Sequence, residues 1–342
     1  MADRTEDAAV RLTEYADLHG CSCKVGQSDL DDLLGEAGLT QSRDELLFGV
    51  GEDAAARKLT DDLALVSTVD FFTPIIDDPY DFGRVAACNA ASDAFATGAS
   101  DNLDCLVVLG LPQELTDVAP SVLAGIADAI DGMGGAVAGG HTIISPWPFA
   151  GGAVSATAPP DTLLTSQGAS AGDRLYLTKP LGTQSAMGAL RVSDDEFADV
   201  VADAAGRPIN QIGDEALAWM TTPNRAAAIA GRDLATAATD ITGFGLVGQA
   251  EVLADNSGVA VELTRLPVIA GTEGLSALFG YGLEDGASAE TSGGLLLSVP
   301  AARSADLESR LDDAGVFYRQ VGRVTDGSGV SLDEPTIEPI SR

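Results

Sequence analysis

The sequence predicts an α/β protein (α+β type) of two domains, and three observations carry that expectation. It has 342 residues, 45% of them hydrophobic, enough chain for about two domains that each bury a core. Strand-like apolar runs alternate with stretches of helical spacing along most of its length. Pro159-Pro160 and the polar segment running to Ala171 form the best boundary between the two halves. The expected division is a flexible N-terminal arm with a short helix over 1–48, a first domain over 49–160 and a second α/β domain over 172–335.

Charge and cysteine content narrow the function classes. The formal net charge is −33, from 52 acidic and 19 basic residues, and the only lysines are Lys24, Lys58 and Lys179. Such a surface repels nucleic acid and anionic membranes, whose phosphates call for the opposite sign. It suits concentrated salt, which screens the mutual repulsion of the carboxylates, so a halophilic setting is expected. No signal-type segment opens the chain and no apolar run approaches the ~18 residues of a membrane span. With cysteines only at 21, 23, 88 and 105, the expected location is the reducing cytoplasm.

Taken in order, residues 1–17 read as an acidic, frayed segment. A reactive-looking arm, His19-Gly20-Cys21-Ser22-Cys23-Lys24, follows, and then a short helix over 28–34 with Ser28 or Asp29 as N-cap. The loop Gly49-Val50-Gly51-Glu52-Asp53-Ala54-Ala55 precedes two strands, the second running over 63–69 and ending on Asp70. Residues 81–98 have helical spacing and a glycine stop, with Asn89 and Asp93 four apart on one face. A strand over 104–112 and a helix over about 117–131 lead to the glycine-dense stretch 132–142, which reads as a phosphate-cradling loop ending in His141. A strand over 149–158 closes the first domain. The second opens with a strand and turn over 174–182. It also carries Thr239-Asp240 as a loop opening a helix, and a Gly-Gly turn feeding a buried strand over 290–299. The tail from about 325 reads as an acidic loop.

The chemistry-bearing residues fall into two groups. In the arm, two thiols stand beside an ammonium group that would favour a thiolate. A local disulfide, a pair of metal ligands or inert thiols remain open alternatives, although no second Cys or His pair completes a zinc set. The other group is Asp53, Asp70, Asp93 and Asp240, each at a loop or element end. If they converge they form an anionic pocket, which accepts a polyphosphate only through divalent cations such as Mg2+.

The arm Gly20-Cys21-Ser22-Cys23-Lys24, the stretch Asp70-Phe71-Phe72-Thr73-Pro74, the Asn89 to Asp93 block, Ala138-Gly139-Gly140-His141, Thr178-Lys179-Pro180-Leu181-Gly182, Thr239-Asp240-Ile241-Thr242-Gly243-Phe244-Gly245 and Thr291-Ser292-Gly293-Gly294 resemble selenophosphate synthetase. The motifs run in family order from about residue 11 to residue 324. The resemblance implies the two-domain fold of the aminoimidazole ribonucleotide synthetase group, with N-terminal sheets pairing across a homodimer. It implies ATP and selenide as substrates and Mg2+ as cofactor, with selenophosphate, AMP and orthophosphate as products. Cys21 and Lys24 match the catalytic pair, and Asp53, Asp93 and Asp240 the Mg2+ ligands. Nucleotide contacts are implied at Lys24, Val50, Gly51, Glu52, Asp70, Asp93, Gly139, Gly140 and His141. The chain departs from the family pattern at Glu52, Arg57, Gln249 and Ser288-Ala289-Glu290. Other readings are a kinase of the same fold acting on a small metabolite, which needs no thiol, and a non-catalytic carrier of selenide or another soft ion.

Overall fold

The structure is a computed structural model that describes residues 10–39, 45–192 and 197–342. Most of the expected frayed segment, residues 1–9, lies outside them. Residues 11–15 are docked instead: Leu12 is fully buried, and Thr13 donates from both its amide and its hydroxyl to Asp77 Oδ1, at 2.9 and 2.7 Å. Helix α1 (Gln27–Glu36) follows Gly26, which holds the N-cap position expected for Ser28 or Asp29. Asp29 falls in the first turn, where its carboxylate complements the positive end of the helix.

The first domain is a five-stranded sheet in the order β1 (Ala55–Thr60), β2 (Leu63–Phe72), β5 (Phe149–Ala158), β3 (Asp101–Leu111) and β4 (Ala136–Ile144). All pairings are antiparallel except β3 with β4, which are joined by a crossover through α3 (Ala119–Gly132). Helices α2 (Pro79–Ala96) and α3 cover one face of the sheet. The other face carries exposed Val69, Phe71 and Leu106. Strand β4 corrects the expected phosphate loop: the glycines of 136–144 lie in an exposed edge strand. Gly139 and Gly140 are extended with φ of 151° and 153°, a conformation that glycine alone adopts readily.

The second domain is a six-stranded sheet in the order β11 (Gly329–Ile340), β8 (Ala260–Ile269), β10 (Arg319–Thr325), β6 (Asp173–Leu177), β9 (Leu295–Pro300) and β7 (Ala237–Asp240). The tail expected as a loop therefore supplies a 12-residue edge strand, parallel to β8. Leu175 and Leu177 of β6 pack toward α8 (Gly245–Ser257), while Tyr176 between them joins the larger core on the opposite face, as a period of two requires. That larger core is continuous with the core of the first domain.

Helix α2 is the joint between the two. Thirteen of its eighteen residues are buried, the pattern of a helix apolar all round. It contacts α6 (Ile209–Met220) and α7 (Arg225–Gly231) as well as its own sheet. Its approach to α3 is set by two glycines. A Cβ on Gly83 would lie 2.1 Å from Val122 O, and one on Gly125 would lie 1.9 Å from Tyr80 O. Among the described residues no helix is long and apolar enough to cross a membrane.

Gly125→Ala would gain about 1 kcal/mol of helix propensity and lose about 1–3 kcal/mol by overpacking against the Tyr80 carbonyl. The clash at backbone distance should win. A lowered thermal midpoint by calorimetry is expected, and an unchanged or raised one would show that the two helices separate freely.

Candidate active site

Strand β2 and helix α2 assemble the floor of the site. Alternation on β2 turns Thr68 and Asp70 toward α2, while Val69 and Phe71 face outward. Two residues of strand span about 6.6 Å and four of helix about 6.0 Å, so the two rows match. Thr68 Oγ1 donates to Asp93 Oδ2 at 2.6 Å, and Asn89 Nδ2 donates to Asp70 Oδ2 at 2.7 Å. Asn89 and Asp93 thus share a face, and that face is turned into the site rather than to water.

Two further carboxylates arrive from elsewhere. Asp53 sits in the turn before β1, and Asp240 ends β7 in the second domain, not a loop as expected. With Asp93 they place one carboxylate oxygen each within 4.8 Å of one another. Thr239 Oγ1 donates to Asp53 Oδ1 at 3.0 Å. Asp240 is buried, and its Oδ2 has no hydrogen-bond partner. Burial raises the pKa of all three, and repulsion from Asp240 raises Asp53 and Asp93 further. Ser92 and Lys24 pull Asp240 part of the way back. An orphaned carboxylate oxygen within a trio of hard oxygen donors suits a small divalent cation.

The arm closes over this floor. Its residues Cys21–Cys23 form one 3-10 turn, and Gly20 bonds to Thr73 O at 3.0 Å. Lys24 Nζ reaches Asp70 Oδ2 at 2.8 Å. Burial alone would lower the Lys24 pKa, but the carboxylates around the ammonium, led by its partner Asp70, outweigh it and raise it. Cys21 is fully buried, and its thiol donates to Asn89 Oδ1 at 3.2 Å. Burial pushes that thiol well up, against the pull of Lys24, so the sulfur is held neutral in this arrangement. Cys23 lines a separate groove of about 650 Å³ with Tyr15, Phe71 and Trp147. Both cysteines are free thiols, so the local disulfide is not formed, and their different surroundings do not make them a ligand pair.

A cavity of about 270 Å³ collects Lys24, Gly51, Glu52, Asp53, Asp70, Asp93 and Asp240, with Leu30 and Leu34 of α1 on its wall. Glu52 Oε2 accepts from the amide and hydroxyl of Ser166, at 2.7 and 2.8 Å. Val50 is exposed on the neighbouring turn. Gly139, Gly140 and His141 stand apart on β4, three strand spacings from β2, or roughly 14 Å across the sheet.

Several residues at the site were given no role from the sequence. Thr68 and Thr239 each hold a carboxylate of the trio. Lys179 is buried, donates to Ser292 O at 2.8 Å, and is lowered by burial to about 8. Glu290 is buried, accepts from the amides of Gly182 and Thr183, and is raised by burial to about 7. A hydroxyl placed two residues before a strand-end carboxylate was the one clue available, at Thr68.

Family models match both halves of the chain: "AIR synthase related protein, N-terminal domain" over residues 51–158 and "AIR synthase related protein, C-terminal domain" over residues 170–334. A protein named selenide, water dikinase from Methanococcus maripaludis is 40% identical over 334 residues, covering 94% of this chain and 98% of its own. One of the same name from Methanocaldococcus jannaschii is 40% identical over 328 residues, covering 92% and 93%. Human selenide, water dikinase 2 is 35% identical, covering 86% of this chain and 75% of its own. Among solved structures, thiamine monophosphate kinase from Aquifex aeolicus has a TM-score of 0.67 at 21% identity, covering 92% of this chain and all of its own. That likeness is one of fold.

The raised carboxylates fix a pH dependence. Each binds its proton more tightly in the folded chain than in the unfolded one. Their contribution to stability is full below the ordinary carboxylate pKa, about 4, and is lost as pH rises toward the raised folded values. Asp240→Asn should flatten that fall and raise the thermal midpoint of the ligand-free protein by a few degrees at about pH 8. Calorimetry across pH tests this; parallel curves for the two proteins would show the trio's charges to be compensated already.

Proposed function

This chain belongs to the selenide, water dikinase family, and on that footing we propose that it converts ATP, selenide and water to selenophosphate, AMP and orthophosphate. The observation that carries the reading at the level of residues is the linked row Cys21–Asn89–Asp70–Lys24 beside the carboxylate trio. A phosphoryl-transfer site alone has no use for the thiol.

Asp53, Asp93 and Asp240 would hold Mg2+, which supplies charge neutralisation for phosphate oxygens that the bare trio would repel. Every other role falls to the chain itself. Lys24, kept charged by Asp70, presents an ammonium where negative charge develops during transfer. Cys21 holds the selenide as a hydrogen-bond donor, its S–H turning from Asn89 Oδ1 to the bound anion, so that no S–Se bond forms and no oxidant is required. In the closed arm the thiol donates to Asn89 Oδ1, and the surrounding core excludes water and oxidants. Lys24, Gly51, Glu52, Asp70 and Asp93 contact the nucleotide around the cavity, with Val50 at its edge.

The outward face of the first sheet supports a homodimer. Val69, Phe71, Leu106, Val137, Ile143 and Ile144 are large apolar side chains exposed on or beside it, and faces of this kind mark association surfaces. In such a dimer Gly139, Gly140 and His141, distant from β2 of their own chain, serve the nucleotide of the partner. The location we propose is the cytoplasm. The acidic surface fits working conditions of high salt, with no nucleic acid or membrane partner.

A phosphorus NMR time course under anaerobic conditions in high salt, with ATP, Mg2+ and selenide, tests the reaction. A selenophosphate resonance growing with AMP and orthophosphate is expected. ADP as the end product would instead indicate a kinase with another acceptor, and intact ATP with bound selenide a carrier. Cys21→Ser and Lys24→Ala should each lower selenide-dependent turnover by about 100-fold or more, the scale of losing a substrate-positioning or a charge-stabilising group. Separately, Leu106→Asp should shift the sedimentation profile from dimer to monomer; a wild-type monomer would remove the dimer reading.

A further inference from the structure

We propose that Thr291 is the residue that seats Cys21, fixing the closed arm so that the sulfur stands at one place beside the site. This rests on the reading of Cys21 as the chalcogen carrier.

The Cys21 amide donates to Thr291 Oγ1 at 3.1 Å, across 270 residues of sequence, with both residues buried. A buried N–H that loses its acceptor is costly, so this bond bears on whether the arm stays closed. The contact also explains Gly20. A Cβ there would lie 2.3 Å from Thr291 Oγ1, and the residue has φ of +58°. Only glycine lets the arm come this close in this conformation.

The seat is held by residues outside the arm. The Glu290 carboxylate accepts from Gly182 N at 2.7 Å, from Thr183 N at 2.8 Å and from the Thr183 hydroxyl. Thr183 Oγ1 in turn accepts from Thr291 N at 3.1 Å. On the far side, Lys179 donates to Ser292 O and Ser292 N donates to Asn89 Oδ1, each at 2.8 Å. Ser292 has φ of +51°, a strained conformation for a residue with a side chain, which persists only where the surroundings over-determine it. A buried carboxylate, a buried ammonium and a strained serine thus immobilise one short turn. The group that turn presents to the arm is the Thr291 hydroxyl.

Thr291→Val removes the hydroxyl at nearly constant volume, Thr291→Ser keeps it, and Gly20→Ala blocks the approach from the side of the arm. In the full-length, ligand-free protein, alkylation of Cys21 by iodoacetamide, mapped by mass spectrometry, should be roughly tenfold faster in Thr291→Val, the equivalent of about 1.4 kcal/mol. Gly20→Ala should also be faster, while Thr291→Ser stays near wild type. In turnover, Thr291→Val should lower kcat with KM for ATP unchanged, because the arm rather than the nucleotide loses its hold. Wild-type alkylation in both Thr291→Val and Gly20→Ala would overturn the proposal. So would Thr291→Ser reacting as fast as Thr291→Val, since packing rather than the hydroxyl would then hold the arm. Full turnover in Cys21→Ser would sink the carrier reading alone; the alkylation rates decide the seat in either case.

Discussion

The arrangement depends on one atom, Oδ2 of Asp70. It accepts from Lys24 on one side and from Asn89 on the other, in surroundings where charge-assisted bonds are strong and unpaired charges expensive. Lys24 is thereby held over the carboxylate trio. Orienting the Asn89 amide turns its oxygen toward the Cys21 thiol and the Ser292 amide. A strand, a helix, the arm and a turn of the other domain all meet within two bonds of this carboxylate.

Helix α2 makes that meeting possible. Its burial ties the two cores into one, and the polar side chains in its second half, Asn89, Ser92 and Asp93, face the site or its supports. The trio is electrostatically tense, because three carboxylates share a small buried volume and Asp240 Oδ2 has no donor. Such tension is tolerable where the surrounding structure determines the geometry, and it is what a site for a cation and a polyphosphate requires.

The acidic residues and the arm were legible as chemistry because their types are unusual where they occur: a lysine among few lysines, thiols in pairs, and aspartates at element ends. The glycine-dense stretch before His141 was misread. Glycine density signals that backbone needs room or positive φ, and an edge strand with extended, positive-φ glycines meets that description as well as a phosphate loop does. The tail was misread for a related reason. Its acidic, proline-containing pattern is that of a loop, yet an edge strand paired on one side tolerates the same residues.

Local pattern determined the α/β class and the identity of the residues that carry charge and thiol. Spacing on one element also determined that Asn89 and Asp93 share a face. Only the tertiary structure decided that Asp53, Asp93 and Asp240 meet, that Cys21 is buried and Cys23 is not, and that Thr291 and Glu290 belong to the site at all. The reason is that periodicity assigns a side chain to a face, whereas convergence of residues 21, 53, 93, 240 and 291 depends on how separate elements pack. That packing rests on the burial of α2 and the close approach of its glycine neighbours.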